Sequence, residues 1–390
     1  MLTSVQERQN QGFDLLWERM AWSVPLYSRG KVDAVGKQLA SIQRNWAAHP
    51  FQIYLQEVLD VANNWRASHL LPLYVIRRTL ERRALRINSA AIVSERIKRL
   101  PSIEKKLYDN RYRNLRLTQI EDIGGCRAVL PTIEEALALA AVYARRATKQ
   151  EQHRLRNYIE TPKEDGYRSI HLVYKYRSDH ERYRIFNGHR IEIQIRSQLQ
   201  HAWATAVEML WTFAGIPLRM APGQVAAAIP RAVSEIDKWR RFFVLMGSAM
   251  AVREGQPIVS GVPFDKDELR SLADQLNIQT LLPTWSIGIA DLLVWGAGRG
   301  ASHFLLQLAV RGDPDKKTFQ IREFSPNQIQ EAFDAYMLAE ESSPPTKLGE
   351  PPSTNVVLVS VASLAELRSA YPNYYGDTEV FIQALKDAIT

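Results

Sequence analysis

The chain has 390 residues, 46% hydrophobic and 24% charged, an ordinary globular composition with room for two or three domains. Its one cysteine, Cys126, excludes an internal disulfide framework and a cysteine-rich zinc site, and points to a reducing, cytoplasmic setting. The net charge of +8 is unevenly placed: Arg77 to Arg116 holds 13 Lys/Arg against 4 Asp/Glu, a net of +9, and Gly312 to the end holds 6 against 12, a net of −6. A basic middle suits phosphates, of a nucleotide or a nucleic acid, and an acidic tail suits lying against that middle. Two separately solvated surfaces are the alternative reading.

Residues 1 to about 75 read as helices over 6–20, 32–48 and 51–68, broken at Ser23-Val24-Pro25, with Trp17, Trp22 and Trp46 available for packing. No signal pattern opens the chain and no apolar window reaches a spanning length, so neither a leader nor a membrane is expected. An Arg-rich helix over 77–86 and a second helix over 94–107 follow. A turn at Asp122 feeds a strand over 126–130. The helix over 132–147 starts with a capping box, Thr132 and Glu135. Residues 167–176 read as a strand. Asn187-Gly188 is a hairpin signal that pairs 183–186 with 190–196. Helices over 197–213 and 226–251 come next, then a boundary near 252–263. The stretch 281–295 is apolar but holds Pro283 and Asp291, which suits a core segment. Strands over 303–310, 318–324 and 355–361, helices over 326–340 and 377–389, a Gly-Asp-Pro-Asp turn and a Ser/Pro-rich loop over 342–353 complete the chain. The expected architecture is α+β: a helical region over 1–75, a mixed-sheet domain carrying helices over 76–255, and a small α+β domain over 256–390.

The segment Arg190 to Arg196 alternates strictly. Ile191, Ile193 and Ile195 take one face of a strand, and Glu192, Gln194 and Arg196 share the other. A carboxylate, an amide and a guanidinium in one row suit a polar ligand with several oxygens. Three further polar patches precede it: Arg96, Lys98, Ser102 and Lys106; Asp122-Ile123-Gly124-Gly125-Cys126-Arg127; and Lys163 to His171, with Tyr167, Ser169 and His171 on one strand face by period two.

In this order and spacing the four patches resemble the synthetase domain of the RelA/SpoT family of alarmone synthetases, over roughly residues 94–208. The resemblance implies a nucleotidyltransferase-like fold and a Mg²⁺-dependent transfer of the β,γ-pyrophosphate of ATP to a ribose 3′-hydroxyl. It places Arg96, Lys98, Ser102, Lys106 and Arg127 at the ATP, with Arg96 and Arg127 flanking the adenine. It makes Asp122 and Glu192 the catalytic and metal-holding carboxylates, with Glu192 also activating the acceptor hydroxyl. It gives Tyr167, His171, Gln194 and Arg196 to the acceptor, with Tyr167 stacking on its base. These residue types suit the chemistry, which needs positive charge around a triphosphate, a carboxylate-held hard cation and a base within reach of the hydroxyl. One departure falls in the helix after the fourth patch: Glu208-Met209 stands where the family commonly has Glu-His. No His-Asp dipeptide occurs, so the family's hydrolase domain is not expected.

The tail contains Tyr371-Pro372-Asn373-Tyr374-Tyr375. A YxxY pair at the end of such a chain resembles the fused toxin–antitoxins of the CapRel type. That resemblance implies autoinhibition by Tyr371 and Tyr374 over the ATP site, the 3′-CCA end of tRNA as acceptor, a block on translation and a phage protein as trigger in antiviral defence. The basic stretches over 77–86 and 145–156 would then meet the tRNA backbone. The alternative is a stringent-response enzyme making guanosine tetraphosphate or pentaphosphate from ATP and GDP or GTP. A third reading, a non-catalytic interaction protein, conflicts with the intact Arg96, Asp122, Tyr167 and Glu192. No DNA partner is expected.

Overall fold

The computed structural model describes residues 22–44, 56–109, 114–145, 149–216, 218, 233–287, 289–296, 300–309, 317–343, 354–375 and 377–390. The expected helix over 6–20, Trp17, Trp46, the Gly-Asp-Pro-Asp turn and most of the Ser/Pro-rich loop lie outside these residues. In chain order the elements begin with α1 (Arg29–Arg44), α2 (Gln56–Ala67), α3 (Leu70–Ile87), β1 (Ile92–Ile97), α4 (Leu100–Tyr108), β2 (Gly124–Leu130), α5 (Ile133–Arg145), β3 (Glu151–Asn157) and β4 (Ile170–Lys175). Then come β5 (Arg190–Ser197), α6 (Gln198–Met209), α7 (Val233–Arg253), α8 (Lys266–Gln275), α9 (Ile278–Ile287), β6 (Ile289–Gly296), β7 (His303–Ala309) and β8 (Lys317–Phe324). The chain closes with α10 (Ile329–Glu341), β9 (Thr354–Ser360), α11 (Leu364–Ala370), α12 (Pro372–Tyr375) and α13 (Glu379–Ile389).

The strands of the described residues form one nine-stranded sheet in the order β3-β4-β5-β2-β1-β9-β7-β8-β6. It is mixed, with β2–β5 and β6–β8 parallel and the other neighbours antiparallel. The architecture is thus α+β with a mixed sheet, as expected. Strands from the last third of the chain extend the sheet that begins at β3. They join it at β1–β9, a ladder of two register pairs, Glu95↔Ser360 and Arg96↔Val359.

One face is apolar across β4, β5, β2, β1, β9 and β7. Ile191, Ile193 and Ile195 are at most 1% exposed and pack with Val93, Cys126, Ala128, Leu305 and Leu358 under α3, α5 and α10. Burying three such side chains stabilises the fold by roughly 1.5–3 kcal/mol each, which fixes the strand register and turns the alternate residues to the opposite face. On that opposite face the β9–β7–β8 half is covered by Leu367, Ala370, Tyr371 and Tyr374. The β1–β2–β5–β4 half carries the polar row. The α5 capping box forms as expected: Glu135 N donates to Thr132 Oγ1 at 3.3 Å, and Thr132 N donates to Glu135 Oε2 at 3.1 Å.

Two local expectations are corrected. Residues 183–186 are the end of a 3-10 helix (Glu181–Phe186), and the antiparallel partner of β5 is β4. Asn187 has φ −60, outside the left-handed region that a two-residue hairpin needs. Its side chain instead closes a longer loop, accepting from Ser178 N at 2.8 Å and donating to Ser178 O at 3.1 Å. Only Gly188 turns left-handed, at φ +88. Residues 92–97 form a strand where the start of a helix was expected. Pro101 falls in the first turn of α4, where a missing N–H costs nothing, and the extended Arg99 before that turn separates strand from helix. The apolar stretch 281–295 divides between the end of α9 and β6. Strand β3, at the sheet edge, lacks apolar alternation and was not foreseen.

Candidate active site

The register gathers the polar residues on one face. Antiparallel pairing sets Ser94 opposite Arg127 and Arg96 opposite Gly125. Parallel pairing sets Gly125 beside Glu192 and Arg127 beside Gln194. Strand β4 brings His171 opposite Gln194. Arg96, Arg127, Glu192, Gln194, Arg196 and His171 therefore share one surface, with Asp122 at the entry to β2 and Lys98 and Lys106 around it.

Asp122 is gripped by two cations. Lys98 Nζ donates to Oδ2 at 2.6 Å and Lys106 Nζ to Oδ1 at 2.9 Å. Burial pushes the carboxyl pKa up, but the two ammoniums outweigh it and hold Asp122 well below the usual carboxylate range. Burial lowers the Lys98 pKa, against the pull of Asp122. Ser102 is half-buried in the first turn of α4, two residues past a backbone N–H at Leu100 that donates to Glu340 Oε1 of α10 at 3.2 Å. Arg96 remains exposed, with Glu208 and Asp122 in its electrostatic surroundings.

Glu192 lies in a different setting. His171 Nδ1 meets Oε1 at 2.8 Å and Gln194 Nε2 donates to Oε2 at 2.7 Å. His171 Nε2 meets the Tyr167 hydroxyl at 2.7 Å. Arg196 Nη2 donates to both the Tyr167 hydroxyl, at 2.7 Å, and Gln194 Oε1, at 2.6 Å. Burial raises the Glu192 pKa, but His171 outweighs it and the net shift is downward. Burial likewise raises Tyr167, yet Arg196 and His171 bring its phenol down to about 8. Gly166, at φ +89, lets the chain approach α7 closely; a Cβ there would meet Phe243 O at 3.0 Å. Tyr167 is 6% exposed, with its ring beside Tyr158, His171 and Trp203 and with the Lys163 ammonium 4.8 Å from its centroid. A base stacking on it would have to displace Lys163.

The tail reaches this surface. Arg127 Nη2 donates to the Ala370 carbonyl, and the guanidinium lies 5.1 Å from the Tyr371 ring centroid. Burial lowers the Arg127 pKa to about 10. The Tyr371 hydroxyl donates to Glu95 O at 3.1 Å. Tyr374 belongs to the apolar cluster under α11 and α12 and stacks on Phe319 at 6.1 Å. The two tyrosines share that cluster and both lie in the electrostatic surroundings of Arg96, while the hydrogen bond to Glu95 O is made by Tyr371. His201, which the motif reading missed, donates from Nε2 to Ser369 O at 3.3 Å; its Nδ1 is buried without a partner. One signal pointed to it: His201 lies seven residues before Glu208, two helical turns away on the same face.

Among the described residues no group of three or more His, Cys, Asp or Glu is placed to hold a metal ion. The charge of Asp122 nevertheless reaches Glu192 and pushes its pKa up. No helix among the described residues is long and apolar enough to cross a membrane.

Residues 95–215 match the family model described as a region found in RelA / SpoT proteins, and the chain thus carries a RelA/SpoT-type domain from β1 to the turn after α6. No curated protein matches the chain. Among solved structures it is similar to small alarmone synthetase 1 from Bacillus subtilis, at 21% identity over 48% of this chain and 93% of that one, with a TM-score of 0.33. Small alarmone synthetase 2 from Bacillus subtilis is 19% identical over 49% and 97%, with a TM-score of 0.35. A GTP pyrophosphokinase family protein from Streptococcus pneumoniae is 20% identical over 47% and 89%, with a TM-score of 0.32.

Proposed function

We propose that the domain, which we bound at 76–255, is a pyrophosphokinase that moves the β,γ-pyrophosphate of ATP to a ribose 3′-hydroxyl. We further propose that residues 256–390 hold it inactive. One observation supports this reading: Arg96, Arg127 and Glu192 share one sheet face, Lys98 and Lys106 grip Asp122 at the entry to β2, and the tail sits on Arg127.

Lys98 and Lys106 now neutralise Asp122 and would turn to the triphosphate, with Ser102 as a hydroxyl donor in the adjoining helical turn. Arg96 and Arg127 are planar guanidiniums on neighbouring strands, suited to a base between them. Asp122 and Glu192 would hold Mg²⁺, which takes one or two carboxylates with waters and phosphate oxygens and supplies charge neutralisation at the transferring group. Glu192 faces the acceptor hydroxyl and takes its proton as the ribose oxygen attacks the β-phosphorus. The bond to the α-phosphate breaks and AMP leaves with the electron pair. Gln194 and Arg196 set the wall on the acceptor side.

Restraint by the tail explains why Arg127 spends its hydrogen bond on a backbone carbonyl of α11. A chain that masks its own nucleotide site fits a growth-blocking toxin, and we favour the 3′ end of tRNA as acceptor. Arg82 and Arg86 on α3 and Arg154 on the β3 edge are exposed and would meet its backbone, with affinity that falls steeply with salt. The test supplies γ-labelled ATP with deacylated tRNA or with GDP and GTP to the full chain carrying Tyr371→Arg, which sets a like charge beside Arg127 to release the tail from the site. Label in tRNA alone supports the favoured acceptor; label in guanine nucleotide alone assigns the chain to alarmone synthesis; label in neither removes the pyrophosphokinase reading.

A further inference from the structure

Glu192 and four side chains around it form a closed hydrogen-bond loop, and its direction can be derived. Arg196 is a guanidinium with donors only, and Glu192, ionised, is an acceptor only. The loop therefore has one source and one sink. One branch runs from Arg196 Nη2 to Gln194 Oε1 at 2.6 Å, then from Gln194 Nε2 to Glu192 Oε2 at 2.7 Å. The other runs from Arg196 Nη2 to the Tyr167 oxygen at 2.7 Å, then through the Tyr167 O–H to His171 Nε2 at 2.7 Å, then from His171 Nδ1–H to Glu192 Oε1 at 2.8 Å. Both branches end on Glu192, one on each oxygen. In the neutral imidazole, with the Nδ1 proton directed to Glu192, Nε2 offers only a lone pair, so the Tyr167 proton goes to Nε2 while the phenol oxygen accepts from Arg196.

His171, Glu192, Tyr167 and Arg196 are each at most 9% exposed, so water does not compete for these bonds. A closed buried network holds its members in place, although Arg196 Nε is itself without a partner, and a partner that orients a reacting carboxylate matters ~10–100-fold, as for the outer partners of metal ligands.

We propose that His171 is a positioning residue for Glu192, held at Nε2 by the Tyr167 hydroxyl, and does not itself bind the acceptor. This rests on the reading that Glu192 takes the proton of the acceptor hydroxyl. In that step the O–H bond of the ribose breaks, its proton goes to Glu192, and the ribose oxygen forms its bond to phosphorus. His171 and Gln194 keep their own protons throughout. They fix the carboxylate plane so that a free lone pair points at the cleft.

The chemistry of asparagine and glutamine separates this from a contact role. The Asn amide nitrogen superposes on the imidazole Nδ1 and keeps the donor to Glu192. The Gln amide nitrogen falls at the Nε2 position and meets the Tyr167 end. The assay uses the full chain carrying Tyr371→Arg to expose the site, with kcat and the acceptor KM measured for His171→Asn, His171→Gln and His171→Ala. We expect His171→Ala and His171→Gln to lose about 30–100-fold in kcat with the acceptor KM within twofold, and His171→Asn to recover at least tenfold of that loss. A raised acceptor KM with kcat unchanged, or equal loss in Asn and Gln, overturns the proposal. Melting temperatures of the three variants exclude misfolding as the cause. Glu192→Gln is the control for the underlying reading: if it stays active, Glu192 is not the base, and that failure is separate from any result at His171.

Discussion

The two carboxylates of the site are held by opposite means. Asp122 is neutralised by charge, with an ammonium on each oxygen at 2.6 and 2.9 Å. Glu192 is held by a loop of oriented hydrogen bonds from a histidine and an amide, with its guanidinium source one residue further out. Lysines are flexible point charges that can change partner, whereas a closed loop fixes its members. The donor side is therefore built to be rearranged by a polyphosphate, and the acceptor side is ready before any substrate arrives. The tail makes the same distinction: it lies on Arg127 and His201, at the margin of the donor side, and leaves the Glu192 loop intact.

The largest effect is expected at Asp122. Asp122→Asn leaves two ammoniums facing each other and removes a metal-holding oxygen, so label transfer should fall by about 10³-fold or more, about 4 kcal/mol. A loss under tenfold would show that the cations, not the carboxylate, organise the donor side. Arg196→Leu comes next, because it removes the source of both branches onto Glu192. Activity should fall about 100-fold while ATP affinity, read by calorimetry, stays within twofold. A parallel loss of ATP binding would erase the separation of the two sides.

The joint between the halves gives a pH prediction. Glu95 lies at the β1–β9 ladder, 6% exposed, and burial raises its carboxyl to about 7 from the ordinary 4.5. Between those two values the folded chain binds more protons than the unfolded one, so stability falls as pH rises through that window. Glu95→Gln removes this dependence. It should stabilise the chain at pH 8 by on the order of 3 kcal/mol and have little effect at pH 4, as read from denaturant midpoints. Equal midpoints at pH 8 would contradict it. The smallest effect belongs to Tyr371→Phe, which loses the hydrogen bond to Glu95 O. About 1 kcal/mol of tail docking should go, and ATP should bind about fivefold more tightly to the full chain.

Much of the site's frame was legible in residue order. The alternation from Arg190 to Arg196 gave the strand, its buried face and its polar row, because one-sided burial leaves a period-two mark. The capping box at Thr132 and Glu135 gave the start of α5. Other features leave no such mark. Strand β1 reads as helical because Arg96, Lys98 and Lys106 form one basic run, and the one mark of the break is Pro101 in the first turn of α4. Strand β3 is a polar edge with no face to bury. The place of the Asn187 side chain depends on Ser178 nine residues earlier. Tyr167 read as a stacking ring, and its hydroxyl bonds to His171 and Arg196 become visible only when β4 and β5 pair. His201 carried a helical spacing to Glu208 but no motif of its own, and its neighbour Ser369 is 168 residues away.

The comparison of the two sides stands or falls on ATP binding to the full chain with and without the tail in place. Titration calorimetry of the native chain and of Tyr371→Arg, which sets a like charge beside Arg127, measures this directly. The account predicts at least tenfold tighter ATP binding in Tyr371→Arg at an unchanged melting profile for the rest of the chain. Equal affinity in the two proteins would contradict it.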